Sequence, residues 1–180
     1  MDKRANILIV DDEEEIRSLL AEIIEDNTKE LYTAGDGQEA LEILKNNKVD
    51  LVLSDIQMPN MDGMELLEKA TQLYPGLLFL FITGFGNVQN SRIIMRSGAY
   101  DIIDKPFEEK IVQNRVLNAI LHLKMLSLES HLLKCLAGFL GYQNQIDISK
   151  TSTEERYKYC EALLSVLDLK TKNNKNVQSK

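Results

Sequence analysis

Five times along this chain a short, almost wholly apolar run is followed by a stretch whose apolar residues recur at helical spacing. The runs are Asn6–Val10, Leu31–Ala34, Leu51–Ser54, Leu77–Ile82 and Tyr100–Ile103. They are too short for buried helices and are closed by Gly, Pro or Asp, so they read as strands. Between them, Ile16, Leu19, Leu20, Ile23 and Ile24 mark a helix over Glu14–Asn27. Ala40, Leu41, Ile43 and Leu44 mark a second helix, and Met64, Leu66, Leu67 and Ala70 a third that stops before Pro75-Gly76. A shorter one spans about Val88 to Arg96, with Gly98 just past its end, and the last starts near Phe107 or Glu108. Strand and helix alternating in this way predict a parallel sheet covered by helices on both faces.

The chain's 180 residues, 44% of them apolar, are enough for one such domain and an extension. No apolar run approaches the roughly 18 residues that span a bilayer. Met1-Asp2-Lys3-Arg4 leads straight into the first strand, so no signal peptide is expected. Two cysteines, Cys135 and Cys160, do not make a disulfide framework and suit a reducing cytoplasm. Residues 1–108 carry 10 Lys and Arg against 21 Asp and Glu, whereas the remainder carries 11 against 7. The acidic part argues against nucleic acid as its direct ligand.

Ligands of a doubly wound sheet sit beyond the carboxyl ends of its strands. Asp11, Asp12, Asp55, Thr83 and Lys105 all fall there, on strands one, three, four and five. Each alone has a plainer reading: an acidic helix start, a capping threonine, a surface lysine before a proline. Their agreement across four strand ends favours a site. Carboxylates held together repel unless a cation joins them. An oxygen-rich acidic pocket suits Mg²⁺, which keeps several waters and completes its shell with phosphate. Lys105 can pair with a phosphoryl oxygen, Thr83 can donate to it, and Asp55 can attack phosphorus to form an acyl phosphate.

The segments Ile9-Val10-Asp11-Asp12-Glu13, Ser54-Asp55-Ile56-Gln57-Met58-Pro59, Thr83-Gly84 and Lys105-Pro106-Phe107 resemble a CheY-like receiver domain of a two-component response regulator. Thr83-Gly84-Phe85-Gly86 with Gly98-Ala99-Tyr100-Asp101 is most similar to receivers of the nitrogen-regulator type. The resemblance covers about residues 5–122. It implies a flavodoxin-like (βα)5 sandwich with strand order 2-1-3-4-5, in which Asp55 is phosphorylated by a sensor histidine kinase or a phosphotransfer protein. By the same resemblance Asp12, Asp55 and the backbone carbonyl of Gln57 ligate Mg²⁺ and Asp11 acts through water. Thr83 and Lys105 then read the phosphorylated state, and the Lys105-Pro106 bond is cis. The protein would be a phosphoacceptor switch with only its own phosphorylation and dephosphorylation chemistry, not a turnover enzyme. Two positions depart or differ. Ile102 stands where many members have an aromatic switch residue, and Gln57 occupies a position that tunes phosphoryl lifetime.

Residues 1–122 are thus expected to form the receiver and 123–170 a helical extension. Its first helix continues the last receiver helix to about 140. A polar loop, a second helix over about 153–169 and a disordered tail over 171–180 follow. Leu121, Met125, Leu128, Leu132, Cys135 and Phe139 recur at alternating spacings of four and three, a short coiled-coil seam. There is no P-loop and no evident helix-turn-helix, so a homodimer through these helices, or a partner protein, is expected rather than direct DNA binding. His131-Leu132-Leu133-Lys134-Cys135 is also similar to a histidine phosphotransfer pattern, with Cys135 where that pattern has glycine. The alternative is therefore a phosphorelay protein using both Asp55 and His131. A haloacid-dehalogenase-like enzyme would need an aspartate where Gln57 stands.

Overall fold

The computed structural model describes residues 4–84 and 88–139, together with Lys158, Cys160, Ala162 and Ser165. The loop expected over 141–152 and the tail over 171–180 lie outside the described residues, as does most of the helix expected over 153–169. The four described positions within that helix are helical. The chain divides into two compact units, Met1–Leu123 and Lys124–Lys180.

In the first unit the elements run β1 (Ala5–Val10), α1 (Glu14–Ile23), β2 (Thr28–Ala34), α2 (Gly37–Asn46), β3 (Leu51–Ser54), α3 (Gly63–Leu73), β4 (Leu78–Thr83), α4 (Val88–Arg96) and β5 (Asp101–Asp104). α5 (Glu109–Phe139) begins in the first unit and ends in the second. The strands form one parallel sheet in the order β2-β1-β3-β4-β5, the expected doubly wound arrangement. β1 and β3 are buried along their whole length, which is why they read as unbroken apolar runs.

Side chains alternate across each strand and feed two cores. Leu8, Val10, Val52, Phe79 and Phe81 pack with Ala40, Leu44, Leu66, Leu67 and Ile94 from α2, α3 and α4. Ile7, Ile9, Leu53, Leu80 and Ile82 pack with Leu20 and Ile23 of α1 and Val112 and Val116 of α5. The sheet is therefore the middle of three layers, and every strand points its carboxyl end at the same rim.

Several boundaries differ from expectation. The first helix was expected to reach Asn27 but stops at Ile23. Ile24 leaves helical geometry, Glu25–Asn27 form a 3-10 turn, and the Thr28 hydroxyl donates to the Ile24 carbonyl at 2.9 Å. β2 starts at Thr28 rather than Leu31, because its backbone pairs with β1 through polar residues such as Glu30 opposite Asn6. β4 starts at Leu78, since the Leu77 N–H is taken by the Tyr74 carbonyl in a turn, and it includes Thr83. β5 is shifted one residue on, to Asp101–Asp104, by its register against Leu80–Thr83.

Candidate functional site

Each strand delivers its residue through backbone pairing. The Asp55 N–H donates to the Val10 carbonyl at 2.8 Å, locking the end of β3 beside the end of β1. The Asp11 N–H donates to the Ala34 carbonyl of β2 at 3.2 Å. The Lys105 N–H donates to the Thr83 carbonyl at 2.9 Å, which ties the residue after β5 to the end of β4. The Lys105-Pro106 peptide is cis, as the resemblance implied.

The side chains then meet. Lys105 Nζ lies 2.8 Å from Asp11 Oδ2 and 3.0 Å from Asp55 Oδ2, bridging positions 94 and 50 residues earlier in the chain. Asp11 is 1% exposed, and its Oδ1 accepts the Glu13 N–H at 3.0 Å. Asp55 Oδ1 accepts the Ile56 N–H at 2.5 Å, which fixes the carboxylate's orientation. Burial opposes charge on Lys105, but the hydrogen bonds it donates to Asp11 and then Asp55 outweigh that and hold its pKa above the ordinary lysine value. Thr83 is buried at the end of β4. Ile102 is half-buried against the core on the α2–α4 side.

Asp12 is exposed at the rim, and Asp11, Asp12 and Asp55 can each offer an oxygen within 4.8 Å of the others. Asp12 and Gln57 also line an open hollow of about 550 Å³ with Ile56, Met58, Pro59 and Asp62. Three carboxylate oxygens converging beside an open face fit a hard, partly hydrated dication.

Sequence reasoning missed the floor of this site. A Cβ at Gly63 would lie 2.2 Å from the Asp55 carbonyl oxygen and 2.9 Å from the Phe81 ring, so α3 can start against β3 only through glycine. The Ser54 hydroxyl donates to the same carbonyl at 2.6 Å. Arg17 Nη1 donates to the Asp11 carbonyl at 2.7 Å. The close approach of Gly63 to β3 is a tertiary fact that no local sequence pattern marks.

All residues of the cluster belong to the first unit. His131 belongs to the second, exposed on α5, with Nε2 3.6 Å from Cys135 Sγ.

Comparison with known proteins agrees with this geometry. Residues 7–117 match the family described as Response regulator receiver domain. The Nitrogen assimilation regulatory protein NtrX of Azorhizobium caulinodans is 38% identical over 104 residues, which are 57% of this chain and 23% of that protein. The Transcriptional regulatory protein GlrR of Escherichia coli is 30% identical over 118 residues, 66% of this chain and 27% of that protein. The chain thus spans only about a quarter of the length of these curated relatives. A crystal structure of NtrX from Brucella abortus superposes with a TM-score of 0.67 and 35% identity, covering 72% of this chain and 29% of that one. A response regulator receiver domain from Clostridium thermocellum superposes with a TM-score of 0.63 and 31% identity, covering 68% and 98%.

Proposed function

Because the chain belongs to the response regulator receiver domain family of two-component systems, we propose that it is a phosphoacceptor switch loaded on Asp55 by the phosphohistidine of a sensor kinase or of a phosphotransfer protein. The observation that carries this reading is the convergence of Asp11, Asp12, Asp55 and Lys105 from the ends of β1, β3 and β5.

In the transfer, an Asp55 carboxylate oxygen bonds to phosphorus as the phosphorus–nitrogen bond breaks. The donor imidazole keeps the electron pair and takes up a proton. The Ile56 N–H holds the carboxylate in its attacking orientation. Lys105, drawn from Asp55 Oδ2, pairs with a phosphoryl oxygen, and the Thr83 hydroxyl donates to the same group. Asp12, Asp55 and the Gln57 carbonyl, with Asp11 through water, would hold Mg²⁺, which when bound neutralises charge on the phosphoryl oxygens.

Residues 1–122 form the receiver in this reading, and the switch acts by biasing the face made by α4, β5 and α5 between two states. Ile102 offers no aromatic ring for that step, so coupling rests on Thr83 and the loop after β4. Output runs through the extension over 123–170, by dimerisation or partner binding in the cytoplasm rather than by direct DNA contact.

The test is incubation with Mg²⁺ and acetyl phosphate, followed by mass mapping. One phosphoryl group is expected on Asp55, lost in Asp55→Asn and lost when EDTA removes the metal. A folded wild-type protein that takes no label, or takes it elsewhere, overturns the reading.

A further inference from the structure

The second half of α5 carries two side chains with metal-ligand chemistry that the carboxylate cluster does not use. His131 and Cys135 stand four residues apart on an unbroken stretch of helix, so they share one face across a single turn. Both are exposed, and both belong to the second unit, whereas the cluster belongs to the first.

His131 Nε2 and Cys135 Sγ are 3.6 Å apart. Bonds of about 2.05 Å from a zinc ion to nitrogen and about 2.3 Å to sulfur, opened at a tetrahedral angle, hold those two atoms about 3.6 Å apart. The pair therefore already has the bite of a tetrahedral chelate. The same separation serves a hydrogen bond between thiol and imidazole, which the ion would replace. Thiolate and imidazole select transition ions over Mg²⁺, which takes oxygen, and Zn²⁺ accepts both. On binding, the Cys135 thiol gives its proton to solvent, Sγ and Nε2 each bond to the ion, and two of the ion's waters leave. Nδ1 then carries the ring proton. Among the described residues no third His, Cys, Asp or Glu completes a cluster with the pair. Two positions of a tetrahedral ion thus stay open to water or to a donor brought by another molecule.

We propose that His131 and Cys135 form a two-point chelate for Zn²⁺ on the exposed face of α5. This gives His131 a task other than carrying phosphate, because an Nε2 lone pair shared with a metal is not free to bond phosphorus. The helix holds the second ligand where the first brings the ion, so the two together bind far more tightly than either alone. The proposal does not depend on the loading of Asp55.

The experiment is a Co²⁺ titration of the full chain in a thiol-free reductant. A bound thiolate gives Co²⁺ an intense near-ultraviolet charge-transfer band that carboxylate ligands do not, so any ion at Asp11, Asp12 and Asp55 is silent in it. One thiolate-bound Co²⁺ per chain is expected in the wild type and in Cys160→Ser. Zn²⁺ should bleach the band, since it stands above cobalt in affinity at such donors. Cys135→Ser should abolish the band. His131→Gln should raise the Co²⁺ concentration at its midpoint by about a hundredfold, and His131→Cys should keep the site. Both positions are exposed, and circular dichroism should show unchanged helix in the variants. A wild type without the band overturns the proposal. So does a band that survives Cys135→Ser, that disappears in Cys160→Ser, or whose midpoint His131→Gln leaves in place. Labelling of Asp55 by acetyl phosphate, unchanged in the His131 and Cys135 variants, reports separately on the receiver.

Discussion

Lys105 is the residue on which the site closes, because one ammonium holds two carboxylates that would otherwise face each other. Lys105→Met should cost about 2 kcal/mol at neutral pH, between the values for exposed and buried pairs. The folded pKa of Lys105 is raised, so its contribution is complete below the unfolded value of about 10.4 and is lost as pH rises through the higher folded value. Urea titrations of both proteins from pH 7 to 12 should therefore show a constant gap that closes only at the alkaline end. A gap that closes near pH 8 would contradict this. Gly63→Ala tests the floor instead. Its methyl would strike the Asp55 carbonyl, and the expected cost is about 1–3 kcal/mol with reduced labelling of Asp55. A neutral substitution would mean the loop yields freely. Asp11, Asp12, Asp55, Thr83 and Lys105 were legible in the sequence because each follows an apolar run, and a strand's end is a position that order along the chain can mark. Gly63, Ser54 and Arg17 were not, because what they touch is decided only when β3, α3 and α1 pack.

α2 shows how an element away from the chemistry shapes the loop beside it. Asp36 Oδ1 accepts from the Gln38 and Glu39 N–H groups at 2.9 Å each, capping the helix, and Oδ2 accepts from Asn60 Nδ2 at 2.6 Å. Asn60 holds a left-handed φ of 62° in the loop that follows Asp55, a conformation asparagine tolerates. The Gly37 N–H donates to the Met61 carbonyl at 3.2 Å, so helix start and loop are joined twice. Asp36→Ala should lower stability by about 1 kcal/mol, the usual cost of a lost cap. The Glu39 N–H and then the Asn60 amide lower the Asp36 pKa, so the cap is in force above the ordinary carboxylate range and fails as pH falls through the lower folded value. Wild type and variant should converge in urea midpoint only in acid; convergence at pH 6 would remove the cap from the account. Elements buried on both sides, β1 and β3, were readable to the residue or nearly so. β2 lies at the sheet edge, where Lys29, Glu30 and Thr33 are exposed, so its first half carries no apolar signal and its start was placed three residues late.

For the whole molecule, the sheet order rather than any one element assembles the site. Among the described residues no helix is long and apolar enough to cross a membrane. β1 and β3 are neighbours, while β5 lies two strands further out at the opposite edge from β2. The alternating pattern made a parallel sheet readable, whereas its strand order was readable only through the family resemblance. The 94-residue span between Asp11 and Lys105 has a consequence in time as well as in space. A ribosome releases the three aspartates early and the lysine late. Nascent chains stalled before β5 should be unable to take phosphate from acetyl phosphate, and chains that expose α5 as far as Leu123 should take it. Labelling of the shorter chains would show that β5 is dispensable. In vectorial synthesis, then, competence to receive a signal is expected to come last to the first unit, and a translation product that ends before β5 is expected to stay silent.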